Sequence, residues 1–161
     1  MLRLLRRTDR DRRIRELEDE RALRELVARY SFNADFFNRE DGYIAMYTDD
    51  GAIDCREMGW ERFEGKDGLK RFIESPQARG MVGKSMHHAA PTNFHIDGDE
   101  AIGEGYSVLY ALNDDGSINV PHANVSKWTF RRADGEWKIV ERTIKLLGSP
   151  TAGDLITRSV R

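Results

Sequence analysis

The sequence is poor in cysteine and proline, with one cysteine, Cys55, and four prolines among 161 residues. A single cysteine forms no internal disulfide, so the chain does not depend on an oxidising compartment. No apolar run approaches the roughly 20 residues that span a membrane, and the apolar part of residues 1–7 is too short for a signal peptide. We therefore predict a cytoplasmic protein without a membrane partner.

A dominant charge of either sign is also missing, because 26 Lys and Arg residues oppose 28 Asp and Glu residues for a net charge of -2. The chain lacks the global positive field that attracts nucleic acid, and we predict no nucleic-acid partner. Seven arginines in residues 3–15 are followed at once by acidic residues, which is typical of a solvated charge run. The length fits one domain, and we divide the chain into a basic N-terminal extension (1–16), a domain (17–149) and a C-terminal tail (150–161).

The first half of the chain has a helical pattern. From Leu17, apolar residues recur at spacings of three and four, which predicts a long amphipathic helix. Its apolar stripe contains Leu23, Leu26, Val27, Tyr30, Ala34 and Phe37. Asp35 falls at or just beyond the edge of this stripe, so its carboxylate faces either solvent or a cleft beside the helix. Two shorter helices are predicted at 43–47 and 69–74, with a turn at 48–51.

The second half is rich in β-branched and aromatic residues. It contains four strand-like segments separated by turn signals with Asp and Gly: 86–96, 101–112, 119–131 and 137–147. Helices followed by an antiparallel meander define the α+β class. We expect a curved sheet whose concave face is covered by the long first helix, with a cavity at one open end.

Three of the four histidines lie within residues 85–99. Adjacent side chains on a strand point to opposite faces, so His87 and His88 do not both face the same cavity. Histidine changes charge near neutral pH, which makes a pocket imidazole a candidate acid or base. Each also fits an ordinary strand residue, one wet and one hydrogen-bonded in a core.

Several motifs together resemble the SnoaL-like branch of the nuclear transport factor 2-like superfamily. They are Leu26-Val27-Ala28-Arg29-Tyr30 with Asp35, Tyr47-Thr48-Asp49-Asp50-Gly51, Phe63-Glu64-Gly65-Lys66-Asp67-Gly68-Leu69, His87 ten residues before Asp97-Gly98-Asp99, and 132–139. The resemblance implies a cone-shaped, curved mixed or antiparallel sheet wrapped around a long N-terminal helix, the cystatin-like roll. It also implies a homo-oligomer, either a dimer or a trimer.

Within that superfamily the sequence is similar to the lyases that include bile acid 7α-dehydratase, scytalone dehydratase and hexachlorocyclohexane dehydrochlorinase. The similarity implies a catalytic His87 and Asp35 pair with Tyr30 as third member, and no cofactor. The sequence departs from the bile acid enzyme at two places. Tyr110 stands where that enzyme has a further acidic residue, and only Lys145 lies near the position of its late arginine.

The chemistry of elimination gives these residue types a physical purpose. Removing a proton from carbon needs a base with a pKa near the working pH, and a carboxylate on the opposite ring nitrogen fixes the tautomer of the imidazole. Tyr30 either donates its phenol to a substrate oxygen or is simply part of the core. His88 is the alternative base if a bulge shifts the strand register.

Other candidates are assigned to substrate binding: Tyr110, His122, Asn124, Trp60 and Lys145. His122 and Asn124 share a face of a predicted strand, and Pro121 indicates a strand start or a bulge beside them. The histidines lack the His-x-x-x-His spacing of a helical metal site, so we predict no metal.

These observations favour an enzyme over a binding protein. The leading hypothesis is a cofactor-independent lyase, a dehydratase or related eliminating enzyme, acting on a hydrophobic cyclic small molecule such as a steroid or polyketide. The alternatives are a SnoaL-like polyketide cyclase or ketosteroid-type isomerase, and a non-catalytic small-molecule-binding or assembly domain.

Overall fold

The computed structural model describes residues 2–36 and 40–156, and it begins with one long helix, α1 (Leu2–Phe36). The prediction that this helix starts at Leu17 was wrong. Arginine is a good helix former, and Arg12 pairs with Asp9 and Glu16 at helical spacings of three and four, with N–O distances of 2.8 and 2.6 Å. Residues 9–18 are nevertheless all exposed, so this part of α1 is held by local pairs rather than by a core.

The remaining elements follow in a helix-rich half and a strand-rich half. In the first half they are α2 (Glu40–Ile44), β1 (Tyr47–Asp54), a 3-10 turn (Arg56–Met58), β2 (Arg62–Glu64), α3 (Gly65–Glu74) and α4 (Pro76–Met81). In the second half they are β3 (Ser85–Asp97), β4 (Glu100–Leu112), β5 (Ile118–Ala133), β6 (Glu136–Leu146) and a 3-10 turn (Ala152–Ile156). The four predicted strands of the meander are thereby confirmed.

The predicted turn at 48–51 was wrong, since these residues lie inside β1. β1 pairs with β6 in parallel, and its register is irregular between Tyr47 and Ala52, so the polar residues occupy an irregular stretch of a strand. Gly51 is suited to this stretch because a Cβ atom at this position would lie 2.8 Å from the Cβ of Tyr47.

α4 was not predicted. Ser75 and Pro76 end α3, as the sequence indicates, but the same pair also begins the next helix. The hydroxyl of Ser75 accepts a hydrogen bond from Ala78 N at 3.2 Å, and Pro76 occupies the first turn, where its missing N–H costs nothing.

The six strands form one curved, unclosed sheet in the order β2-β1-β6-β5-β4-β3. All neighbours are antiparallel except the β1 and β6 pair. α1 packs along β3 and also contacts β6, which confirms the α+β fold with a long helix on the sheet.

The core lies between the stripe of α1 and the inner face of the sheet. Leu23, Leu26, Val27, Tyr30 and Ala34 are all buried, as predicted, whereas Phe37 lies outside the described residues. Opposite them are Trp128, Phe130 and Ile139. Burying one large apolar side chain contributes about 1.5–3 kcal/mol, so this stripe fixes how α1 sits on the sheet.

Within the described ranges, no helix is both long enough and apolar enough to cross a membrane. α1 has the length but carries many charges.

Candidate functional site

The last turn of α1 meets the start of β3 through Asp35 and His87. Asp35 is only 3% exposed, and its Oδ1 lies 2.6 Å from His87 Nδ1. The same carboxylate accepts hydrogen bonds from the backbone N–H of His87, at 2.9 and 3.0 Å, and from the hydroxyl of Ser85, at 3.2 Å. Gly83 N donates to the carbonyl of Asp35 at 2.9 Å, which closes the helix end onto the strand.

This arrangement determines which nitrogen of His87 carries a proton. A carboxylate only accepts hydrogen bonds, so Nδ1 is the protonated nitrogen of the neutral ring. Nε2 is then the unprotonated nitrogen and is available as a proton acceptor. His87 lines a pocket, whereas Asp35 lies behind it and does not.

The pocket has a cavity of about 40 Å³, and the space between its walls is about 460 Å³ when its open mouth is included. Its apolar wall includes Ile53, Met58, Trp60, Phe72, Leu109 and Ile144. Its polar groups are Tyr30, His87, His122, Asn124 and Arg142. A mainly apolar hollow with a few converging polar groups is typical of a small-molecule site.

His122 lies on β5 directly across the sheet from His87 on β3, with one residue of β4 between them. Leu109 on β4 is paired with His87 on β3 and with His122 on β5. One residue of β4 opposes Val120 and Pro121 of β5, which is the bulge that Pro121 indicated. Burial, and then the neighbouring His87, lower the pKa of His122 below its ordinary 6.5.

The lowered pKa of His122 predicts a pH-dependent stability. Between this pKa and 6.5, the unfolded chain binds more protons at His122 than the folded chain does. The contribution to the free energy of unfolding is therefore fully present above 6.5 and is lost as the pH falls through this window. Urea unfolding across the window should show a shallower pH slope for His122→Asn than for the wild type, whereas the exposed His88→Asn should keep the wild-type slope. Equal slopes in all three proteins would contradict the prediction.

The phenol of Tyr30 is buried and is held by two donors. Arg142 Nη1 donates to its oxygen at 2.7 Å, and the hydroxyl of Tyr43 donates at 3.2 Å. Tyr43 is in turn hydrogen-bonded to Tyr47 at 3.2 Å, and burial raises the pKa of both, so these phenols stay protonated. Since its oxygen accepts twice, Tyr30 retains its own hydrogen for a group in the pocket.

Arg142 is a pocket residue that the sequence analysis missed. The late cation was sought at Lys145, but Arg142 is the one that is 2% exposed and lines the pocket. Strict alternation from Trp137 and Ile139 would turn Lys145 inward. Thr129 of β5 pairs with Glu141, and Phe130 pairs with Ile139, so Val140 is an extra residue on β6. This irregularity reverses the faces of the later residues, and Arg142 and Ile144 therefore point inward.

The other predicted site residues divide into two groups. Trp60, His122 and Asn124 line the pocket together with Tyr30 and His87. Tyr110 and Lys145, which we predicted as substrate-binding residues, and His88, the alternative base, do not line this pocket. All three positions alternate away from the inner face of the sheet. Tyr110 is paired with Met86 on the outer face, and His88 is exposed. Lys145 forms an ion pair with Glu57 at 2.8 Å.

Cys55 also lines the pocket but is completely buried. Burial raises the pKa of its thiol to about 12, and Arg142 only partly offsets this. We therefore expect native protein to react with iodoacetamide far more slowly than urea-unfolded protein at the same pH, because the thiolate is the nucleophile. Mass spectrometry of the labelled Cys55 peptide checks this, and equal rates would contradict the burial.

In the part of the chain that the structure describes, no three His, Cys, Asp or Glu side chains are grouped so as to hold a metal ion.

Comparisons with known proteins agree on the fold. The model of the SnoaL-like domain family matches residues 15–143, whereas the curated proteins contain no match. An NTF2-like protein with a cystatin-like fold from Novosphingobium aromaticivorans is 28% identical, with a TM-score of 0.84 over 93% of this chain and 96% of that one.

Two further solved structures share the fold at lower identity. Hexachlorocyclohexane dehydrochlorinase LinA-type3 from Novosphingobium barchaimii is 16% identical, with a TM-score of 0.67 over 81% of this chain and 88% of that one. A protein provisionally named scytalone dehydratase, from Novosphingobium aromaticivorans, is 17% identical, with a TM-score of 0.68 over 82% of this chain and 86% of that one.

Proposed function

Since this chain belongs to the SnoaL-like domain family, we propose that its pocket is the active site of a cofactor-independent lyase. The reaction is the elimination of water, halide or a similar group from a hydrophobic cyclic small molecule. The family is broader than this activity, so the proposal depends on the chemistry of the pocket.

The contact between Asp35 and His87 carries the proposal. His87 Nε2 takes a proton from carbon next to the departing group, and the Asp35 carboxylate stabilises the imidazolium that forms. The backbone N–H of His87 donates to the same carboxylate, so the base is already oriented before a substrate binds.

Tyr30 is the proposed proton donor. Its own hydrogen is free for a departing oxygen or a carbonyl in the pocket, because its oxygen accepts from Arg142 and Tyr43. The guanidinium of Arg142 stabilises negative charge on that oxygen as the proton moves away from it.

The surroundings of the three residues support a small apolar substrate. The pocket wall is mainly aliphatic and aromatic, and two relatives with the same fold carry the names of a dehydratase and a dehydrochlorinase. Those names describe other proteins, and their transfer to this chain is part of the proposal.

Incubation with a panel of hydroxysteroids, aromatic polyketides and cyclic haloalkanes tests the function, with products analysed by mass spectrometry. Loss of the mass of water or hydrogen halide, faster than in buffer, is the expected result. A product of unchanged mass would indicate isomerisation or cyclisation instead. Binding without conversion across the panel would favour a ligand-binding domain.

A further inference from the structure

α1 has a second face, which points away from the core and from the pocket. Four arginines fall within one arc of about 100° on this face, since successive residues of a helix are about 100° apart. All four are exposed: Arg10, Arg13, Arg21 and Arg24. In residues 9–32 the arc contains no Asp or Glu, although Glu20 and Glu25 border it. In the sequence, Arg3, Arg6 and Arg7 precede Arg10 at helical spacings.

Three large apolar side chains lie in the same arc. Ile14, Leu17 and Phe32 are 44%, 67% and 66% exposed. A single exposed apolar residue is ordinary, but several on one face are a feature of interaction surfaces. From Arg10 to Phe32 this face extends for about 33 Å. We name the four arginines and the three apolar residues the outer stripe.

The arginines of the outer stripe are available to an external anion. Arg13 has no ion pair among the described residues, and Arg10 has only a long contact, 3.9 Å to Asp11. Arg21 and Arg24 pair with the bordering glutamates at 2.9 and 2.6 Å, but these pairs are exposed. Exposed ion pairs contribute little to stability, so an anion from outside the chain replaces them at small cost.

We propose that the outer stripe docks α1 on the surface of a membrane that contains anionic lipids. The helix lies in the plane of the surface, its arginines bind the anionic headgroups, and its apolar side chains enter the headgroup layer. Such a helix lies on a bilayer without crossing it. The prediction of no membrane partner considered only spanning segments and signal peptides, so this inference revises it. The inference goes beyond the proposed function and does not depend on it.

Two other occupants fit the outer stripe less well. A second copy bound about a two-fold axis would place the arginines of one stripe against those of the other, and like charges repel. A nucleic acid would bind the arginines through its phosphates, but it would offer no apolar layer to Ile14, Leu17 and Phe32. A lipid surface offers both.

Docking of this kind places the pocket near the bilayer. The pocket lies at the C-terminal end of the same helix, because Asp35 in the last turn of α1 binds His87. A hydrophobic molecule that partitions into the membrane would therefore reach the pocket over a short distance.

Co-sedimentation with lipid vesicles tests the proposal on the whole chain. Wild-type protein should bind vesicles of equal parts phosphatidylserine and phosphatidylcholine, and the bound fraction should fall as sodium chloride screens the charges. Arg10→Gln combined with Arg13→Gln should weaken this binding about 25-fold, at roughly fivefold for each arginine. Glutamine is a good helix former, so α1 should stay folded.

Lys70→Gln combined with Arg71→Gln is the matched control. It makes the same change of net charge at two exposed positions on α3, so vesicle binding should be unchanged. Equal losses in the two double variants would mean that vesicles respond only to net charge, and the outer stripe would be overturned as a docking face.

Leu17→Ser tests the apolar part of the outer stripe without any change of charge. Binding to the mixed vesicles should weaken about fivefold. Leu147→Ser, at a leucine that is 71% exposed just after β6, should bind as the wild type does. Wild-type protein that does not bind the mixed vesicles, or that binds pure phosphatidylcholine equally well, would overturn the proposal. Unchanged binding in both outer-stripe variants would do the same.

Fluorescence anisotropy with a labelled DNA duplex tests the nucleic-acid alternative. No binding is expected at the salt concentration at which the mixed vesicles are bound. DNA binding that requires Arg10 and Arg13 but not Leu17 would assign the outer stripe to nucleic acid and overturn the lipid proposal.

Discussion

Replacing His87 by Gln is expected to lower kcat by about 10²–10⁴-fold for whichever of the hydroxysteroids, aromatic polyketides or cyclic haloalkanes the enzyme converts. Glutamine retains a polar side chain next to Asp35 but has no group that accepts a proton near neutral pH. The backbone N–H of residue 87 still donates to Asp35, so the far-ultraviolet circular dichroism and the thermal midpoint should stay close to those of the wild type.

His88→Gln is the matched control for this experiment. It removes a neighbouring imidazole from the same strand, but His88 is exposed and does not line the pocket. We expect its kcat to be unchanged. If His88→Gln lost activity while His87→Gln kept full activity, the base would lie on the opposite face of β3 and the mechanism would be refuted.

Replacing Asp35 by Asn is expected to reduce both activity and stability. The neutral amide of asparagine cannot stabilise a protonated imidazole. Its NH2 group would also face Ser85 and His87, which donate hydrogen bonds to the carboxylate in the wild type. The tautomer of His87 is then no longer fixed. In hydrolase triads, the equivalent change lowers kcat by about 10⁴-fold, and a loss of about 10²–10⁴-fold is expected here. Loss of the buried charge-assisted hydrogen bonds should lower the free energy of unfolding, measured with urea, by about 1.5–3 kcal/mol.

Asp11→Asn provides the comparison on the same helix. Asp11 is exposed, so the variant makes the same change of net charge without touching the pocket. Wild-type activity and stability are expected for it. If Asp35→Asn behaved like Asp11→Asn in both measurements, the carboxylate would have no part in orienting His87.

Periodicity and turn chemistry predicted most of the fold, because these signals are local. The stripe of α1 and the four strands of the meander each have a pattern that neighbouring residues impose. The start of α1 was predicted at Leu17 because the stripe ends there, but charge pairs such as Arg12 with Glu16 extend the helix without a core. A hydrophobic pattern does not register helices that are held in this way.

Register irregularities limited the prediction of the site. A bulge shifts every later side chain to the other face, and nothing in simple alternation marks where it occurs. On β3 an irregularity between Pro91 and Asn93 returns Phe94 to the core face of His87, although strict alternation separates them. On β6 the irregularity at Val140 brings Arg142 rather than Lys145 into the pocket. On β5 we did infer the bulge, from Pro121.

The meeting of Asp35 and His87 was predicted from the family resemblance and from the place of Asp35 at the edge of the helical stripe. The donors to Asp35 and to Tyr30 were not, because Ser85 and Gly83, which bind Asp35, and Arg142, which binds Tyr30, act through tertiary contacts between segments far apart in the chain. Neither motif nor periodicity describes such contacts.

The two hydrogen bonds from residue 87 to one carboxylate, one from its main chain and one from its ring, form a small closed loop of covalent and hydrogen bonds. Such a loop leaves the imidazole little torsional freedom at either χ angle. The entropy of aiming the ring is therefore lost while the chain folds, and an arriving molecule does not have to supply it. The same carboxylate therefore both joins α1 to the sheet and restricts rotation of the His87 ring.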